Sequence, residues 1–446
     1  MMTDIAKETL FLDRLLERFE AAKPVNEKVA GLQREAAREI VGKELPTTRH
    51  EEWKYCSLKS LSKKTFVPSS RIGSPNIPAD ASVYIYPEAE HHHLTFVNGV
   101  YSEELSKTDQ LPEGVIVANL ADVLRDGNEQ ALKHLGRHAR WEDDPFVPFN
   151  TAVFRDGAFI YVPKSVKIAE PIQLLFINTD ESEQYVMTPR CLIVGDRSSE
   201  MTVVEDHIGL GDNVYFNCTV SEIALAENSH MTHVKLQRDS KKSFHISRLA
   251  ADISRDSDYK SYAVHLGSQL SRSDVKAVLT DENTHATLDG LVMVNGNQLS
   301  DTHSVMDHTM PNCTSHQLHK CIIDGHGTSV FNGKIFVRQD AQKTDAFQEN
   351  RNLQLSNTGM AYTKPQLEIF ADDVSCSHGA TIGQLDQDEV FYLKTRGLHD
   401  AQTRQILTYG FALDVIESIP VPSIQQRLSK EVESFTREST SIKEPA

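Results

Sequence analysis

From Asn150 to about Ile382 the chain is a long succession of short β-rich runs with almost no helical period between them. GAFIYVP, IQLLFI, RCLIVG, MTVVEDH, YFNCTVSEIAL, THVKLQ, VKAVLT, GLVMV, CIIDG and GKIFVRQ follow one another, separated by polar turns. So many strands in one stretch must either pair as hairpins or stack in coils. Weak self-similarity favours stacking. ENSHMTHVKL from Glu227 echoes ENTHATLDGL from Glu282, and TDENTHATLDGLVMV (280–294) aligns with IDGHGTSVFNGKIFV (323–337), which sets Gly290 opposite Gly333. Fading repeats of this kind suit a β-solenoid, where each rung need only match its neighbours. A β-sandwich is the competing reading; it would need fewer residues and clearer hairpin turns.

The flanks differ in texture. Residues 3–43 have helical spacing, with Leu10, Leu12, Leu15, Leu16 and Phe19 near one face and a second helix after Pro24. From Pro46 to about Phe149 the pattern is mixed: SVYIY reads as a strand, Leu120–His138 as a helix, and WEDDPFVPF as a boundary. Beyond Asp386 three helices are expected, the middle one starting at Asp400 and the last at Pro422–Ser423. Phe411, Leu413, Val415 and Ile416 give the middle helix an apolar side that needs a partner. The expected domains are therefore 1–149 (helical and mixed), 150–385 (β core) and 386–446 (helical), with the terminal EPA frayed.

Charge and cysteine content narrow the function. Acidic residues outnumber basic ones 63 to 46, a net charge of −17, which argues against nucleic acid as a partner because phosphate binding needs a basic face. Six cysteines without a CxxC indicate a reducing compartment. With no signal-peptide pattern and no long apolar run, a cytoplasmic location without membrane attachment is expected.

Metal-loving residues crowd PNCTSHQLHKCIIDGHG (311–327). On a strand, His319 and Cys321 share a face and His316 points away, while Cys313 lies about 26 Å from Cys321 at ~3.3 Å per residue. Two donors do not make a site that needs four, so polar rungs on the solenoid surface are the better reading. A self-sufficient metalloprotein using residues 313–326 is the alternative. GTSVFNGKI misses the nucleotide loop twice: its spacing is five rather than four, and Ile335 replaces the Mg²⁺-binding hydroxyl. No bound nucleotide is expected, and no GxSxG supports a serine nucleophile.

Four segments, in order along the chain, resemble the SufB/SufD family of the SUF iron–sulfur cluster assembly system. They are RHEEWKYCSL (49–58), NTAVFRDGAFIYVPKSVKIAEPIQLLF (150–176), NGKIFVRQDAQKTDAFQENRNLQLS (332–356) and ADDVSCSHGATIGQLDQDEVFYLKTRGL (371–398). Cys376-Ser-His378-Gly-Ala-Thr and the cysteine-poor N-terminus favour the SufD side; a SufB-type sibling is the near alternative. The resemblance implies a right-handed parallel β-helix flanked by helical N- and C-terminal regions. It implies a non-catalytic scaffold that pairs with SufB through the β-helix and holds the ATPase SufC through its C-terminal helices. It also implies sulfur arriving indirectly from a desulfurase, a transient Fe–S cluster shared with SufB, and homodimers where SufB is absent. Whether the complex binds reduced flavin is left open, as is the type of cluster.

Cys376 and His378 stand at i and i+2, so on a strand they face one way, about 6.6 Å apart. Thiolate and imidazole suit iron and sulfide. The family analogy assigns His378 to the nascent cluster beside a SufB cysteine, with Cys376 secondary. Asp372 and Asp373 read as a solvated turn, His91–His93 as an exposed loop, Trp53 and Tyr55 as packing anchors, and Phe347, Gln348, Asn350 and Arg351 as rung packing or interface contact. A β-helix carbohydrate-active enzyme is the rival class, disfavoured by 7% aromatics and two tryptophans.

Overall fold

A computed structural model describes residues 10–19, 26–69, 81–141 and 144–441. From Arg190–Gly195 onward successive strands alternate between two sheets. One sheet runs from Ile116–Asn119 through Ala158–Val162 to Met360–Ile369, the other from Val100–Thr108 through His92–Val97 and Ile172–Asn178 to Ser375–Gly383. Along the core every strand pairs in parallel with the strand of the same sheet one coil earlier and one coil later. One coil takes from 26 residues (Phe244 to Leu270) to 33 (Phe159 to Leu192). This is a parallel β-solenoid of about eight turns with helices at both ends; the sandwich is excluded, since its sheets would be antiparallel.

A stacked turn explains why the coils superpose. Ser198, Asn228, Asp256, Asn283, Asn312 and Lys343 all adopt left-handed backbone at φ near +60°. There is one per coil, each just before a strand of the second sheet. Asn and Asp tolerate this conformation best among residues with a Cβ. Each of their amides donates to a carbonyl of the coil above, as in Asn228 N to Arg255 O and Asn283 N to Pro311 O. The echo between ENSH and ENTH is this turn: His230 and His285 both pair with Asp258, from either side. The second alignment is corrected. Gly290 lies in the second sheet opposite His319, whereas Gly333 lies in the first, between Ser304 and Pro365.

Strands upstream of residue 150, His92–Val97 and Ile116–Asn119, extend both sheets. His92 and His93 are therefore buried in a strand rather than exposed in a loop. SVYIY begins as a 3₁₀ turn, Ala81–Tyr84. The helix expected over Leu120–His138 is two, Leu120–Arg125 and Glu129–His134. Gly127 at φ +73° breaks the first, and Asn128, whose side chain accepts from Ala131 N, starts the second. Residues 3–9, 20–25, 142–143 and the EPA tail lie outside the described residues.

The three C-terminal helices are Gln387–Thr395, Asp400–Ser418 and Pro422–Ser441. His399, not Asp400, caps the second, in a reciprocal box with Gln402. Its apolar side finds its partner within the chain: Ala412, Val415 and Ile416 pack with Ile424, Leu428 and Val432 onto Leu291, Met293 and Ile322 of the second sheet. Lys320, 2% exposed, pins this contact by donating to Phe411 O at 2.8 Å and to Asp414. No helix among the described residues is long and apolar enough to cross a membrane.

Candidate functional site

Among the described residues no further strand caps the C-terminal end of the solenoid. Met360–Ile369 and Ser375–Gly383 are the last strands of their sheets, each paired on one side only. Their outer edges present unmatched N–H and C=O groups, a template for further strands. Exposed apolar side chains surround this end: Met360, Ile369, Phe370, Ile382 and, one rung back, Phe347.

His378 and Cys376 stand on the final rung. Cys376 is in register with Ala346, which belongs to the solenoid's interior cluster, and its half-buried thiol packs against that cluster. His378 is in register with Gln348, and Gln348 with Gln317, both fully or nearly fully buried. In a parallel ladder, residues in register share a face and stack about 4.8 Å apart. Both donors thus continue columns of the lumen wall, and are accessible only because no rung covers them. Burial, reinforced by Asp345, pushes the Cys376 thiol up from its ordinary value, so it needs a metal or a base to become a thiolate. Asp372 and Asp373 are exposed; Asp373 O accepts from Lys343 N in the stacked turn.

The other cysteine–histidine cluster is interior structure, not the surface rungs expected. His319 and Cys321 share the lumen face, with His319 Nδ1 3.4 Å from Sγ. Burial lowers the imidazole to about 3 and raises the thiol to about 11, so both are neutral. Phe331 stacks on His319, and a Cβ at Gly290 would come within 2.6 Å of that ring. Cys313 is bonded to Thr284, His316 lies outside against Phe347, and His326 is exposed in a turn. Among the described residues no three metal-ligating side chains converge on one point.

Beside the open end, the 49–58 segment lies on the outer face of the first sheet. Trp53 is buried beneath the Arg272 guanidinium, 4.0 Å from the ring centre, and Tyr55 stacks on Tyr362 at 4.0 Å. Glu52 takes bonds from His303 Nδ1 and Asn332 Nδ2, both at 3.1 Å. A cavity of about 700 Å³ lies between this segment and the sheet and reaches Ile382 on the last rung.

Fold and end geometry together define a parallel β-solenoid scaffold with an open mouth carrying an imidazole and a thiol. Residues 176–411 match the family model for the SUF system FeS cluster assembly SufBD core domain, and residues 17–174 the model for the SufBD protein N-terminal region. The chain is 38% identical to an iron–sulfur cluster assembly SufBD family protein of Synechocystis sp., covering 89% of each. It is 31% identical to the iron–sulfur cluster assembly protein SufD of Escherichia coli, covering 86% of this chain and 88% of that one. The chain belongs to the SufBD family of iron–sulfur cluster assembly proteins and is SufD-like.

Proposed function

We propose that this chain is a non-catalytic scaffold subunit that pairs with SufB through the open end of its solenoid and contributes His378 to a nascent iron–sulfur cluster at that junction. The observation that carries the reading is the placement of His378 and Cys376 on the last, uncovered rung, between two unpaired sheet edges. Two donors are too few for a cluster; a partner strand laid against the edge would bring the rest. The cluster is cargo: soft sulfur and borderline nitrogen hold iron and sulfide during assembly and release it afterwards. Cys376 is the secondary donor. The same open edges pair two copies of this chain when SufB is absent.

The helices of 386–446 are the proposed seat of SufC. Phe391 and Tyr392 are 69% and 56% exposed on a helix with no buried residue, and Ile406 is exposed on the next. Nucleotide hydrolysis belongs to SufC, sulfur supply to the desulfurase, and any reduced flavin to the assembled complex. The working compartment is the cytoplasm.

Anaerobic co-purification with SufB and SufC, wild type beside His378→Ala, with iron and sulfide quantified on both complexes, tests the reading. The variant should assemble and lose iron and sulfide together. A variant complex carrying the wild-type load would make His378 structural.

A further inference from the structure

Beneath His378 lies a polar ladder that rung packing does not require. Gln348, fully buried, donates through Nε2 to Gln317 Oε1 at 2.8 Å, and Gln317 donates through Nε2 to Ser304 Oγ at 2.7 Å. The ladder fixes the Gln348 amide with its nitrogen directed down the solenoid. Its other end, Oε1, is buried without a hydrogen-bond partner. A buried carbonyl left without a donor is destabilising, so a fold that keeps one invites an explanation. The opposite sheet makes room for the amide: a Cβ at Gly333 would stand 2.4 Å from Gln348 Nε2. The residue in register above Gln348 is His378, whose side chain makes no hydrogen bond among the described residues.

We infer that Gln348 is the positioning residue for His378. The two groups are in register and unbonded as the structure stands; a turn of the exposed His378 ring over the lumen would bring an imidazole N–H to the waiting Oε1. This selects one neutral tautomer, fixes the ring plane, and leaves the outer nitrogen unprotonated and turned out of the mouth. Histidines that ligate metals are commonly held this way, the second ring N–H bonded to a carbonyl or carboxylate. This positioning needs no residue outside the chain; its use in cluster assembly rests on the ligand role proposed above for His378.

The test uses the full chain labelled with ¹⁵N-histidine, the His378 signals being assigned by their loss in His378→Ala. Wild type should show one dominant tautomer and a ring N–H slow enough to exchange to be seen. Gln348→Met, which keeps the volume and removes the acceptor, should move the tautomer ratio about fivefold and lose that signal. Gln348→Glu, which keeps an acceptor, should restore both. An unchanged ratio in Gln348→Met overturns the proposal. So does a rapidly exchanging, invisible ring proton in wild type, a readout that stands even if the Met variant does not fold. Iron and sulfide on the SufB–SufC complexes separate the two claims. Loss with His378→Ala but no tautomer change with Gln348→Met removes only the positioning role. A tautomer change with full loading in His378→Ala removes only the ligand role.

Discussion

Raising the pH should detach the N-terminal signature segment from the solenoid, through one histidine. His303 is 9% exposed and lies between Asp301, 3.1 Å from Nε2, and Glu52, 3.1 Å from Nδ1. Burial alone would lower its pKa, but the Asp301 carboxylate and the bonds to Asp301 and Glu52 outweigh it and hold it at about 9 against an ordinary 6.5. At ~1.4 kcal/mol per pKa unit this linkage is worth about 3 kcal/mol. The folded value is raised, so the contribution is complete below pH 6.5, falls between there and 9, and is gone above. Glu52 is held below its ordinary value, chiefly by its bond to His303, so its share is present above about pH 4.5 and lost in acid. Urea midpoints of wild type and His303→Gln, measured from pH 6 to 10, provide the assay. Other titrating groups cancel in the difference, which should shrink by about 1.4 kcal/mol per pH unit through the window. Hydrogen exchange over 49–58 should accelerate in step. A wild-type advantage that stays constant with pH would refute the argument.

Glu222 is fully buried, bonded to Arg190 at 2.7 Å and to the amides of Gly136, His138 and Ala139. Glu222→Gln leaves the guanidinium uncompensated and should cost about 3–5 kcal/mol, read as a lower urea midpoint. Gly333→Ala should cost about 1–3 kcal/mol by overpacking against Gln348 and Phe331, and a crystal structure of the variant should show the amide displaced. Among six free cysteines Cys376 alone is not buried, so native alkylation followed by mass spectrometry should label it first, and slowly, because its thiol pKa is raised.

Much of this fold could be read from residue order, and what escaped did so for one physical reason. Every strand identified from its apolar run between Asn150 and Ile382 is a strand of the solenoid, whereas SVYIY upstream is not. Those missed are DYKSYAVH, LSDTHSVMDH, DAFQENRNLQ and their neighbours, in which Asp, His, Gln and Asn stand at buried positions. Hydrophobic periodicity cannot report a strand whose buried side chains are polar. The lumen takes such residues because ladder partners satisfy polar groups such as Gln348 Nε2 and Gln317 Oε1, and because Gly290 and Gly333 clear the space. His91–His93 were misplaced by the same logic: three histidines look solvated until a strand buries two of them.

The candidate site was legible only in part. The parity of Cys376 and His378 followed from their spacing, but no spacing could say that their shared face is the lumen or that theirs is the last rung. Those facts come from the register, which runs from Gln317 through Gln348 to His378. Position in that column decides chemistry. His319 one column over, two rungs down, is sealed, neutral and stacked on Phe331, whereas His378 has the same inward face and no rung above it. The difference between a packed histidine and a candidate ligand is here one missing coil. A partner strand added to that edge would therefore complete the site and bury it in the same step.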